Sequence, residues 1–225
     1  MTDTSEKLSA ASVVSGSVMS FGANCLVEDR EDIMLANIFA QQATRQEYAS
    51  GLNLDWFANY RRKLSFLGWD ATPPPNIRRS GGDRASVVAE AVKAIEAAGS
   101  TALAEVAQES SEVLRSNDYA LKAFELNAIS GNRLHFQMLP CIRHSGDFYD
   151  MVVFHSEFDM PLEFKIDGFL FLPFGLQFKN AVQSAELIRF NLRLFRNEFK
   201  AKLANVKKNN RALIHNIPLR RSDSL

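Results

Sequence analysis

A chain of 225 residues with 46% hydrophobic and 23% charged side chains has the make-up of an ordinary globular protein, long enough for one substantial core or two small ones that share an interface. Its formal net charge of zero hides an asymmetry: from Lys179 onward eleven Lys/Arg face three Asp/Glu, so that segment carries +8 and residues 1–178 carry −8. Two cysteines, Cys25 and Cys141, form no motif, which excludes a disulfide framework and fits a reduced, cytoplasmic-type chain.

The longest uncharged stretch, Ser9–Val27, contains five Ser, two Gly and an Asn, too polar to insert in a bilayer and without the apolar run of a signal peptide. Residues 1–27 therefore read as a flexible N-terminal tail, and the chain as cytoplasmic on synthesis, with delivery by a non-classical route left open. Residues 28–216 read as one α+β domain and 217–225 as a C-terminal tail. A helix is expected over Glu28–Gln42, with acidic residues in its first turn where they complement the helix dipole. A second runs from an Asn53 cap to Leu67, stopped by Gly68. Residues 70–82, with three consecutive prolines, read as a linker. Asp83 is expected to cap a helix over Arg84–Ala98, and Ser100 or Thr101 the next. The stretch Asn117–Ile129 fits a further helix, completing a helical part over 28–129.

The period then changes to two. Leu134, Phe136 and Met138 alternate with Arg133, His135 and Gln137, predicting a half-buried strand over Asn132–Ile142. His144-Ser145-Gly146-Asp147 predicts a turn, Phe148–Phe158 a second strand and Leu162–Phe174 a third. These place the sheet in residues 132–174. A long amphipathic helix over 179–209 is expected to cover it. The predicted architecture is thus α+β: N-terminal helices, then an antiparallel β-meander of about three strands covered by a long C-terminal helix.

The segment Trp56-Phe57…Tyr60…Leu64…Gly68-Trp69 resembles a helix signature, W-[FY]-x-x-Y-x-x-x-L-x-x-x-G-W. A loosely related set of uncharacterised, mostly bacterial small α+β proteins shares it. The resemblance implies the order of elements and carries no activity or site residue.

Candidate chemistry is sparse. His144, Ser145 and Asp147 are the residue types of a hydrolytic triad, yet they are neighbours on one turn, whereas a triad converges from separate elements. Cys141 and His135 sit six residues apart on one strand face, roughly 20 Å at ~3.3 Å per residue, too far to react. The four histidines, His135, His144, His155 and His215, show no metal-ligand spacing. His135 and His155 can meet across the hairpin as at most two ligands. No metal and no cofactor is expected.

The strongest feature is basic. On a helix, Arg189, Arg193, Arg196, Lys200, Lys207 and Arg211 fall within about 60° of one another, beside an apolar stripe of Ile188, Leu192, Phe195, Phe199, Leu203 and Val206. Such a surface meets something negative. The expected function is non-enzymatic binding or assembly through this stripe, by self-association or with a protein partner. A membrane-active effector docking the Phe-rich 162–178 segment on an anionic membrane is the first alternative, and a hydrolase with an unrecognised site the second. Nucleic acid fits less well, because the aromatics are not interleaved with the basic residues.

Overall fold

The computed structural model describes residues 10–52, 55–71, 77–79, 86–130, 133–159, 168–172, 179–210 and 213–217. It opens with strands: β1 (Ala10–Val14) and β2 (Ser17–Phe21) form a hairpin about Ser15-Gly16, with Ser15 at φ 54°. Helices α1 (Val27–Ala49) and α2 (Trp56–Phe66) follow, then short strands β3 (Trp69–Ala71) and β4 (Ile77–Arg79). Helices α3 (Val87–Ala98), α4 (Thr101–Arg115) and α5 (Asp118–Ala128) lead through β5 (Ile129–Ser130) into the long strands β6 (Arg133–Ser145) and β7 (Phe148–Asp159). A 3-10 turn, Phe169–Phe171, precedes β8 (Lys179–Asn191), α6 (Leu192–Glu198), α7 (Ala204–Asn209) and β9 (Ile214–Ile217).

The strands form one mixed sheet in the order β3-β8-β7-β6-β2-β1-β9, with β4 also pairing β8 and β5 pairing β6. The β2–β6 contact is parallel; the other pairings are antiparallel. Helices α3–α5 pack on one face around Val88, Ile95, Leu103, Phe124, Phe136 and Phe154. Helices α1, α2 and α6 cover the other around Ile33, Tyr60, Trp69, Met151, Phe190 and Phe195. Both cores sit against the same strands, because β6 and β7 send even-numbered apolar residues one way and odd-numbered ones the other.

These observations correct the expected architecture. The class α+β holds, but strands precede the helices, and the sheet is a mixed one, not a three-strand meander. Residues 10–21 are not a flexible tail: nearly every residue of the β1–β2 hairpin is buried. In the expected linker, Asp70, Ala71 and Ile77–Arg79 pair with β8, while 72–76 and 80–82 lie outside the described residues. In the expected third strand, Phe169–Phe171 is a 3-10 turn, and 162–167 and 173–174 lie outside the described residues.

The long C-terminal helix is absent. Lys179–Asn191 is a strand held by β7, β3 and β4, with helix only from Leu192. Asn191 caps α6 by accepting a bond from Leu194 N–H at 3.0 Å, so the strand-to-helix change has a local cause. Elsewhere Asp55, not Asn53, caps α2 and Ser86, not Asp83, caps α3, while Ser100 caps α4 and Asn117 caps α5.

Gly99 links α3 to α4 where helix and sheet nearly touch. A Cβ there would lie 2.6 Å from Val152 Cγ2 and 2.9 Å from Leu103 Cδ1. Val152 is fixed on a central strand, so Gly99→Ala is expected to destabilise the fold by about 1–3 kcal/mol through overpacking. A urea titration checks this.

Candidate functional site

The sheet face beneath α1 and α2 holds a buried polar seam. Ser17 donates to Gln137 Oε1 at 2.8 Å, Gln41 donates to Ser17, and the Tyr60 hydroxyl donates to Asn37 Oδ1. At one end of this seam His135 lies opposite Glu157 and Gln137 opposite His155 across the β6–β7 pair. All four share one face, since directly opposed residues in an antiparallel pair point the same way.

His135 Nδ1 stands 3.6 Å and His155 Nε2 3.9 Å from Glu157 Oε2. The other carboxylate oxygen, Oε1, is held by Arg133, which also reaches Asp159 at 3.3 Å. Aromatic rings close the site from above. The Trp56 ring stacks on His155 with centroids 4.9 Å apart, and Tyr48 meets His135 edge-on at 5.4 Å. A cavity of about 30 Å³ opens beside the two imidazoles, bordered by Gly16, Arg45 and Asn127. It has room for one or two water molecules.

Burial, reinforced by neighbouring His155, pushes the His135 pKa down to about 4, so its ring is neutral at pH 7. Burial alone would raise Glu157, but His155, His135 and Arg133 outweigh it and hold the carboxyl below its usual range. Among the described residues, none of the four imidazole nitrogens of His135 and His155 has a hydrogen-bond partner.

Of the six basic residues expected on one stripe, those whose side chains are described are separated. Arg189 lies on β8, on the sheet face toward α3, and pairs with Asp150 at 2.7 and 3.1 Å. Arg196 and Lys200 lie on the opposite side. There Arg196 bonds Asp32 and Asp29, each at 2.6 Å, and Lys200 sits 2.8 Å from Asp32. Both aspartates are buried on α1. Arg193 is exposed and makes no ion pair among the described residues. Lys207 lies in α7, its side chain outside the description, and Arg211 lies outside the described residues. The stripe thus breaks because Lys179–Asn191 has a strand period, not a helical one.

The apolar stripe also divides. Ile188, Leu192, Phe195 and Leu203 are buried, whereas Phe199 and Val206 are half-buried. Phe199 meets the ring of Phe66 at 5.2 Å, with the Lys202 ammonium 5.7 Å from its centroid. Phe66 and Leu194 are 64% and 42% exposed, an apolar surface beside Arg193 and Lys202.

The remaining candidates behave locally. His144, Ser145 and Asp147 stay at the β6–β7 turn, with His144 3.0 Å from Asp150 and 3.2 Å from Arg189. Cys141 is buried beside Cys25, whose thiol lies 3.4 Å from the Cys141 carbonyl; both are free thiols. Burial pushes the Cys141 thiol well up, the reverse of what a nucleophile needs.

No helix among the described residues is long and apolar enough to cross a membrane. No family model matches the sequence, and no curated protein matches it. Among solved structures the chain is similar to the Evf virulence factor at 10% identity and a TM-score of 0.36, over 81% of this chain and 70% of that one. It is similar to a delta-endotoxin at 13% identity and a TM-score of 0.43, over 79% of this chain and 84% of that one.

Proposed function

We propose that this chain is a non-enzymatic assembly protein that self-associates head to tail, the basic α6–α7 face of one copy docking on the acidic α3–α4 face of the next. The observation that carries this reading is the segregation of charge to opposite sides of the sheet. Leu192–Asn209 holds six Lys/Arg and one Glu, whereas Val87–Arg115 holds five Glu and two Lys/Arg. Internal pairing removes Arg196 and Lys200 from the basic face but leaves Arg193 and Lys202 exposed beside Phe66 and Leu194. On the other side Glu105 and Glu112 are exposed on α4, with Tyr119 74% exposed at the start of α5. Aromatic anchors ringed by complementary charge are what a protein interface uses. Two different faces in contact make a heterologous interface, which propagates into a ring or an open chain.

The test is sedimentation velocity over a concentration series. Wild-type protein is expected to associate at low salt and to dissociate as salt screens the contact. The double reversal R193E/K202E is expected to stay monomeric, with stability within ~0.5 kcal/mol of wild type because both positions are exposed. A wild type that remains monomeric at its highest soluble concentration would refute the reading.

An anionic membrane is the competing occupant of the same patch, since Phe66 and Leu194 stand exposed beside basic groups. It is the weaker fit, because Leu192, Phe195 and Leu203 are already committed to the core, and a helix lying on lipid needs that face free. Binding of wild type to anionic vesicles, lost in R193E/K202E and without self-association, would replace assembly with membrane docking.

A further inference from the structure

The geometry points to a metal centre: His135 Nδ1, His155 Nε2 and Glu157 Oε2 bind one borderline divalent transition-metal ion, Zn²⁺ by preference, with water completing the shell. This inference is independent of the assembly reading. It starts from sheet register. Placing His135 opposite Glu157, with His155 on the diagonal, brings three donor atoms within 4.8 Å of one another. In a tetrahedral zinc site with bonds of about 2.0–2.1 Å the donors stand roughly 3.3 Å apart. Small side-chain rotations close the remaining gap, and no strand has to move.

The donor set suits that class of ion. Two imidazoles and one carboxylate favour Zn²⁺, Co²⁺ or Fe²⁺ over the all-oxygen shells of Ca²⁺ and Mg²⁺. Second-shell contacts are in place: Arg133 takes Glu157 Oε1 and leaves Oε2 for the ion, and Trp56 fixes the plane of the His155 ring. The site also accounts for an otherwise costly feature. His135 and His155 are 8% and 2% exposed, yet their ring nitrogens have no hydrogen-bond partner among the described residues. Buried polar atoms are nearly always satisfied by protein, water or an ion. The adjoining cavity of about 30 Å³ admits the completing water and little more. The ion therefore ties β6 to β7 beneath α2 and has no room for a larger substrate.

The experiment uses the full chain after treatment with a chelator and its removal. Zn²⁺ is titrated by calorimetry, and Co²⁺ is followed by its d–d absorption. One ion per chain is expected, with the intense absorption of a four- or five-coordinate site. Glu157→Gln should weaken binding at least tenfold and His155→Leu should abolish it. His144→Ala, on the exposed turn, should leave it unchanged. Because the site variants alter a buried histidine and a half-buried glutamate, wild-type protein supplies a second readout. Of the four histidine rings in the chain, Zn²⁺ should perturb the NMR signals of two, assigned to His135 and His155. Absence of Co²⁺ absorption in folded wild type would overturn the proposal, as would binding that survives both site substitutions or perturbs only His144 or His215.

Discussion

Replacing Arg196 with Met is expected to cost about 3–5 kcal/mol. Asp29 and Asp32 retain 5% and 3% side-chain exposure, and Arg196 bonds both. Removing it leaves buried carboxylates short of a counter-charge, which is far costlier than losing a surface pair. Lys200 still reaches Asp32, and the Tyr149 hydroxyl still donates to Asp29, so the fold is expected to survive with a lowered denaturation midpoint. Lys200→Met, at a position 48% exposed, should cost less than about 1 kcal/mol, because Arg196 keeps Asp32 paired. Urea titrations of the two variants side by side check this. Equal losses would mean that the cluster is solvated and that Arg196 is not its keystone.

Phe195→Ala should be as damaging, at about 3–5 kcal/mol. The ring is fully buried and tilts against Phe190 at 5.3 Å, and Phe190 in turn stacks on Trp69 at 4.3 Å. This column joins α6 to β8 and β3, so the cavity left by the truncation would lie among rings that cannot collapse into it. Phe199→Ala should cost only about 1 kcal/mol, since its ring is half-buried and packs on exposed Phe66. Sequence periodicity puts both phenylalanines on one buried stripe against Leu162–Phe174. The structure gives Phe195 alone the core, against Phe190 of β8. A loss for Phe199→Ala matching that of Phe195→Ala would contradict the assigned burial.

The helices were legible from their 3.6-residue periodicity more than from their caps: Ser100 occupies the N-cap position that the sequence suggests, whereas Asp55 and Ser86 replace Asn53 and Asp83. β8 was not legible. Ile188 continues, at helical spacing, into Leu192, Phe195, Phe199 and Leu203. A strand buried on both faces lacks the polar alternation that would separate it from helix. Ile188 and Phe190 serve one core while Ala185 serves the other. The β1–β2 hairpin had a local sign, two short apolar runs about Ser15-Gly16, masked by serines that are buried within the sheet.

The histidine site turns on one residue of register. Ser145 pairs Phe148 at the turn, but a shift between Arg143 and Ser145 sets the rest of the ladder, placing His135 opposite Glu157. Continued without that irregularity, the turn would put His135 opposite Phe158 and move Glu157 to the other face. The polar face of β6 reads as solvated because residue alternation is blind to helices arriving from elsewhere. Trp56 and Tyr48, more than 75 residues earlier in the chain, cover it.

Head-to-tail assembly through opposite charges is tested most directly by mixing two charge-reversed proteins in the ultracentrifuge. R193E/K202E puts acidic residues at the exposed positions of the basic face and E105K/E112K basic ones at those of the acidic face, so each alone should sediment as a monomer. Mixed in equal amounts they should regain wild-type association, because each face again meets its complement. Persistent monomers in the mixture, or association of either variant alone, would contradict the assembly proposed for this fold.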